Sequence, residues 1–408
     1  MIPLIYPNPV NQIMFDSRLA NVNSLEFSSS ARILKASGKK ITSLGLGEPI
    51  WSTPKEITSE LSRQIIQNHF GYSSPYGNPK LRGEVLKLFL SANESQSLKP
   101  ENLLITQGAK GALTLALESI LEPGDFVAIV EPCYASYIPQ AYLAAFNISA
   151  KSFMPEHLDS LCFEKLDAFL SKHDFKCLLI SSPSNPTGHT LSFDVLSGLQ
   201  VICKRHNIYL IIDEVYSMLY FGDEPPISAA SLISSNDNVI VVNSFSKTYS
   251  MTAWRIGYLL APPSIISHSI KIIQHELTCI PEFLQIAAAK FVEVSPSWLN
   301  HNLSLLRANL SESLKSLDSL RMSGLVSYTV PTGGMFIFIK VNVQYFDSDA
   351  FCSSLIKDTN IAMTPGKLFG SFWTPYLRIS LSCDQRVFAY AFQQFICYLK
   401  NYIICSNG

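Results

Sequence analysis

Ser244-Phe-Ser-Lys247-Thr-Tyr-Ser-Met-Thr-Ala-Trp-Arg255-Ile-Gly257 is the stretch on which the reading of this chain turns. The residues before it, Asn238-Val-Ile-Val-Val-Asn243, form a β-branched run between polar ends, the pattern of a buried strand. A lysine directly after such a strand stands at the carboxyl end of a parallel sheet, where ligands of α/β proteins gather. Half-buried there, it loses hydration and its pKa falls. The neutral amine can then attack a carbonyl. Two serines beside it, and Arg255 further on, suit a phosphate. A lone lysine after a strand is more often just solvated, so the surrounding chain has to decide.

Working outward, other strands end in chemically pointed residues. Ile208-Tyr-Leu-Ile-Ile-Asp213-Glu214-Val-Tyr216 is an apolar strand that closes on two carboxylates. A buried Asp213 needs a charged or donating partner, and a protonated ring nitrogen would serve; Tyr216 could reach the same ring. In Cys177-Leu-Leu-Ile-Ser-Ser-Pro183-Ser-Asn185-Pro186-Thr187-Gly188 a strand runs into a rigid turn, whose prolines aim the Asn185 amide. Asp125–Val130 is a further strand, followed by Glu131-Pro-Cys-Tyr134-Ala-Ser-Tyr137. Tyr134 either stacks on a flat heterocycle or packs in the core. Asn102-Leu-Leu-Ile-Thr-Gln107-Gly108-Ala109-Lys110 reads as strand, tight turn and helix. The free N–H groups of such a helix start make an anion site, although many plain turns look alike. An amine for an aldehyde, with sites for a phosphate and a ring, matches the needs of pyridoxal 5′-phosphate.

Strand, turn and helix alternate from about residue 100 to 260, the pattern of a doubly wound α/β sheet. Upstream, Ile41-Thr-Ser-Leu-Gly-Leu-Gly47-Glu48-Pro49 is a strand entering a turn. Gly47 lets a substrate carboxylate approach the backbone, or simply makes the turn. Pro54 opens a helix to about Asn68. The loop Gly71-Tyr72-Ser-Ser-Pro-Tyr76-Gly77-Asn-Pro79 leads into another helix through about Leu90, and its aromatics suit a lid or a subunit contact. Asn23–Ser37 reads as helix within an N-terminal arm. Downstream, 264–320 is mostly helical. Val326–Val330, Gly334–Lys340 and Tyr376-Leu-Arg378-Ile-Ser380 read as strands, with helices at Asp347–Asp358 and Asp384–Ile403. These describe a smaller α+β domain, completed by the strand near Thr42.

The 408 residues are 47 % hydrophobic and only 15 % charged, which calls for a large buried sheet and a sizeable subunit interface. A net charge of −1 argues against nucleic-acid or acidic-membrane partners. Nine cysteines without metal-ligand spacing suggest reduced thiols, hence a cytoplasmic protein with no metal site. No transmembrane run and no signal peptide are expected.

In order along the chain stand a small-residue turn, an aromatic, Asn185-Pro-Thr-Gly188, Asp213-Glu-Val-Tyr216, Ser244-Phe-Ser-Lys247, Arg255 and Arg378. This order resembles the class I/II aminotransferases, fold-type I pyridoxal-phosphate enzymes related to aspartate aminotransferase, over roughly residues 30–400. The resemblance implies an α/β fold of this type: a large domain, 56–295, with a mostly parallel seven-stranded sheet, and a smaller α+β domain from 1–55 and 296–408. It implies that Lys247 carries the cofactor as a Schiff base and shuttles a proton. Asp213 would pair with the pyridinium nitrogen. Asn185 and Tyr216 would bond the ring oxygen, and Tyr134 would stack on the ring. Gly108, Ala109 and Lys110, with Ser244 and Arg255, would hold the phosphate. Tyr72 would reach the phosphate in the neighbouring subunit of a homodimer. Arg378, helped by Gly47 and Asn185, would clamp the substrate α-carboxylate.

The chain departs from the family's pattern at Ile50-Trp51, where Asp-Phe is usual, and at Ala253, where Gly is usual. Lys110 faces either the phosphate or a distal substrate carboxylate. Ile50, Trp51 and Tyr76 could instead favour an aromatic or long apolar substrate. The implied activity is amino transfer between an L-amino acid and a 2-oxo acid. On the same scaffold stand β/γ-elimination or replacement, an aminocyclopropane-carboxylate-type lyase, or an oxidase. A cofactor-sensing regulator would need a DNA-binding domain, for which the chain has neither room nor a basic patch.

Overall fold

The computed structural model describes residues 22, 38, 40–67, 71–91, 98–155, 161–233 and 238–406; the expected helix at Asn23–Ser37 lies outside the described residues. A two-residue strand, β1 (Thr42–Ser43), opens the described fold. The principal sheet is built from β2 (Leu103–Thr106), β3 (Phe126–Val130), β4 (Ser149–Phe153), β5 (Phe175–Ser181), β6 (Tyr209–Asp213), β7 (Val239–Ser244) and β8 (Gly257–Leu260). Its seven strands run in the order β2-β8-β7-β6-β5-β3-β4. β7, β6, β5, β3 and β4 are mutually parallel, whereas β8 is antiparallel to both β7 and β2.

The apolar runs of β2, β7 and β8 are buried at every residue, because helices cover both faces of the sheet. β4 (Ser-Ala-Lys-Ser-Phe) is mostly half-buried, with Lys151 exposed, in keeping with its polar composition and edge position. The antiparallel β8 has no β-branched run, and its Gly-Tyr-Leu-Leu sequence does not announce a strand. It forms because the chain, after the turn carrying Lys247, finds two exposed strand edges side by side.

A second sheet orders β12 (Thr364–Pro365), β13 (Tyr376–Ser380), β10 (Phe336–Val341) and β9 (Val326–Tyr328), all antiparallel. β1 does not join it. It pairs in parallel with β11 (Ile361–Ala362) as a separate two-stranded ladder. The helices Pro296–Met322 and Gln385–Ser406 cover the second sheet. Each sheet has its own apolar core, one centred on residues such as Ile129, Leu179 and Val241, the other on Phe336, Ile339 and Phe388. No described helix is long and apolar enough to cross a membrane.

Candidate active site

The carboxyl ends of β5, β6 and β7 open into a cavity of about 500 Å³, with Ser181, Asp213 and Ser244 on its floor. Adjacent side chains on an extended chain point to opposite faces, and this separates the two carboxylates at the end of β6. Asp213 faces the cavity. Glu214 turns away and accepts from Ser228 Oγ at 2.5 Å and from the Ala229 N–H at 2.7 Å. Burial raises the pKa of Asp213. Hydrogen bonds from the Tyr137 hydroxyl (2.8 Å) and the Val215 N–H (3.0 Å), with the charge of Lys247, pull it the other way.

Lys247 leaves β7 into the same cavity. Its Nζ donates to the Gly47 carbonyl at 2.6 Å. Burial lowers its pKa to about 8, opposed by the carboxylate of Glu48 and helped by Arg378 and Arg255. Burial in the site therefore makes this amine give up its proton more readily than an exposed lysine does.

Arg378 arrives from the other sheet, on β13. Its Nη1 donates to Asn185 Oδ1 at 2.9 Å, and its Nη2 to the Gly45 carbonyl at 2.6 Å and to Thr364 Oγ1 at 3.2 Å. The guanidinium lies 4.1 Å from the Phe336 ring centroid. It is 3 % exposed and its Nε has no partner. Burial lowers its pKa to about 10, and no carboxylate among the described residues offsets that. A buried cation answered only by neutral acceptors awaits an anion.

At the opposite end the helix Gly108–Ile120 begins at the cavity, and its N-cap residue Gln107 supplies no side-chain cap. The first N–H groups of such a helix lack intrahelical acceptors. Gly108 has φ +68°, and a Cβ there would come within 2.7 Å of Arg255 Nη2. Gly257 packs so closely that a Cβ would lie 2.6 Å from Gly108 C and 2.8 Å from Ala109 N. Arg255 itself is held at φ 57°, a sparsely populated conformation for a residue with a side chain. Backbone and side chain are thus arranged to aim a guanidinium at an open helix end.

Gly47, Ala109, Lys110, Tyr134, Asn185, Asp213, Tyr216, Ser244, Lys247, Arg255 and Arg378 all line the one cavity. Gly108 stands behind it, against Arg255. Tyr72 does not reach it within the chain and is 89 % exposed. Ile50, Trp51 and Tyr76 are not among the lining residues, and Trp51 packs in the core of the second sheet. Tyr137 was missed as a site residue, although it stands three positions after Tyr134, a helical spacing that returns to the same face. Gly45 and Thr364 carried no sequence signal, because their contact with Arg378 exists only once β12 pairs with β13.

The pattern of the family described as aminotransferase class I and II matches residues 39–395. The chain belongs to that family. It is 31 % identical to an aspartate aminotransferase of Thermotoga maritima over 347 residues, 85 % of this chain and 88 % of the other. It is 30 % identical to a probable N-acetyl-LL-diaminopimelate aminotransferase of Bacillus subtilis, covering 86 % and 87 %. The crystal structure of aspartate aminotransferase from Thermotoga maritima superposes with a TM-score of 0.85, at 28 % identity, over 94 % of this chain and 100 % of the other. The protein is therefore an aminotransferase of fold-type I, and members of this family use pyridoxal 5′-phosphate. The aminotransferase's cavity fits that group. It offers an uncapped helix start with Arg255 for a phosphate, a buried carboxylate for a ring nitrogen and a lysine of lowered pKa for an aldehyde.

Proposed function

We propose that Lys247 Nζ is the covalent anchor of pyridoxal phosphate and the group that moves the substrate's Cα proton, and that Arg378 is the clamp for the substrate carboxylate. The observation that carries this reading is the buried guanidinium of Arg378, without a carboxylate partner among the described residues, in one cavity with a lysine of lowered pKa.

The cofactor would be held by the first N–H groups of the helix Gly108–Ile120 at Gly108, Ala109 and Lys110, with Ser244 and Arg255, by Tyr134 against its ring, by Asn185 and Tyr216 at its ring oxygen, and by Asp213 at its ring nitrogen. Bound there, it supplies an electron sink for the charge left on a deprotonated Cα. Tyr137 keeps Asp213 aimed and spends one of its oxygens. Burial pushes the Tyr216 phenol above its ordinary pKa, so it stays a proton donor. Arg378 can present two N–H groups to a carboxylate, with Asn185 and the backbone at Gly47 completing the grip. A carboxylate fixed in that way fixes the Cα beside Lys247, whose neutral amine takes the proton and returns it.

An acidic side chain on the substrate is proposed from Lys110, which lines the cavity, makes no ion pair among the described residues and holds its Nζ 5.6 Å from the Tyr134 centroid. The relatives named aspartate aminotransferases favour the same class. Tyr72, exposed on its loop, is proposed to complete the phosphate site of a second copy in a homodimer. A division into 56–295 and into 1–55 with 296–408 is proposed from the separate cores of the two sheets. A cytoplasmic location is proposed from the free cysteines.

The test is spectroscopic. Single amino acids are mixed with the cofactor-loaded protein, and the visible absorption of the bound cofactor is followed. Its loss with release of a 2-oxo acid, reversed by 2-oxoglutarate, supports amino transfer. Ammonia release or oxygen uptake without that reversal overturns it.

A further inference from the structure

Glu131, the residue after β3, is a carboxylate only 5 % exposed, and among the described residues no cation pairs with it. Its partners are neutral. Oε1 accepts from Ser152 Oγ of β4 at 2.5 Å, and Oε2 accepts from Trp373 Nε1 at 3.1 Å. A buried carboxyl group held by neutral donors is a poor route to stability, so its use has to be sought in what it positions.

The segment 366–373 is folded around this carboxylate. Gly370, at φ +130°, passes so close that a Cβ there would collide with Glu131 Oε2. The Cys133 N–H donates to the Phe369 carbonyl at 3.4 Å. The Trp373 ring lies 6.0 Å from Phe338 and 5.1 Å from Tyr376, and Phe338 lies 5.7 Å from Phe369. Phe338 is directly opposite Arg378 in the β10–β13 ladder, and the Phe369 ring centroid is 5.0 Å from Arg378 Cζ. The indole held by Glu131 thus wedges the aromatic group that backs the guanidinium. Tyr134, at the cavity wall, belongs to the same loop as Glu131.

We propose that the Glu131–Trp373 hydrogen bond is a tie that sets Arg378 in register with the cofactor-facing wall, making both of them positioning residues for carboxylate binding. The inference rests on Arg378 being the clamp. Without the tie, Phe369 loses its fixed place, and the guanidinium loses one of its aromatic supports and its alignment. The tie touches neither Lys247 nor the phosphate end, so it governs carboxylate affinity and not cofactor affinity.

The experiment measures KM, kcat and, by calorimetry on the cofactor-loaded protein, the dissociation constants of 2-oxoglutarate and pyruvate. Trp373→Phe keeps an aromatic ring and removes the N–H. Glu131→Gln keeps an acceptor for the indole, and guards against Glu131→Ala failing to fold. Expected are a rise of roughly tenfold in KM and in both dissociation constants for Trp373→Phe. With it, kcat and cofactor affinity stay within twofold, and Glu131→Gln stays near wild type. Constants within twofold of wild type for Trp373→Phe, or an equal loss of cofactor affinity, overturn the tie. Arg378→Ala reports separately on the clamp. If it leaves both constants unchanged, or if neither acid binds the wild type, the reading of Arg378 falls and the tie with it.

Discussion

Lys247 and Arg378 show how burial tunes a single residue. The folded pKa of Lys247 is about 8, and burial is the largest cause. An unfolded lysine titrates near 10.4, so between those values the unfolded chain binds more protons than the folded one. Stability of the cofactor-free protein should therefore rise with pH across that window. Below about pH 8 the buried ammonium is a penalty on the order of 3 kcal/mol. Lys247→Met removes it. We expect that variant to unfold at higher urea than wild type at pH 7, with the difference vanishing toward about pH 10.5. A pH-independent difference would show that the amine is hydrated. Lys247→Ala should leave no borohydride-fixed pyridoxal phosphate by mass spectrometry, and a retained covalent adduct would reassign the anchor. Arg378→Ala should raise KM for amino acid and oxo acid alike by about two orders of magnitude, the scale for losing one partner of a desolvated charged contact.

Among the elements, the proposed phosphate end is built on two glycines. β8 can lie against the start of the helix Gly108–Ile120 only because Gly257 has no Cβ. Gly108 likewise leaves room for the guanidinium of Arg255, at a φ that side chains rarely adopt. Gly108→Ala should weaken cofactor binding about tenfold or more by displacing Arg255, with far-ultraviolet circular dichroism unchanged. Cofactor loss on dialysis measures it, and unaltered retention would show that Arg255 does not hold the phosphate. The strand–turn–helix units were legible, since their apolar runs and turn residues report local physics. β8 was not, because an edge between two existing strands recruited a segment with no strand pattern of its own. The strand near Thr42 was legible, but its pairing with a two-residue strand far along the chain, apart from the second sheet, was not.

For the molecule as a whole, Tyr72, Ile65 and Ile66 are large side chains left accessible in the single chain. The loop bearing Tyr72 is nonetheless firmly moored. The Ser73 N–H donates to Cys279 Sγ at 3.3 Å, and the Asn78 N–H donates to Gln285 Oε1 at 2.6 Å. An exposed aromatic on a fixed loop fits a subunit contact. Sedimentation equilibrium should give twice the 45.3 kDa chain mass. Tyr72→Phe should raise the cofactor dissociation constant severalfold while the dimer persists. A monomer that keeps full activity would remove Tyr72 from the site.

The sequence by itself determined the alternating α/β architecture and the chemical types at the strand ends. Strand period is a local property and marks Lys247, Asp213 and Asn185 at strand ends, whereas their expected roles, and that of Arg255, came from the resemblance carried by the order of the motifs. Only the tertiary structure decided how these residues are used. It turned Asp213 toward the cavity and Glu214 away, set Tyr137 on Asp213, and left the buried Arg378 with neutral partners. It also joined Glu131 to Trp373 across 242 positions of chain. Such contacts join segments far apart in the chain, around one sheet for Asp213 and across the two for Arg378 and Trp373, and no pattern within a single segment of sequence encodes them.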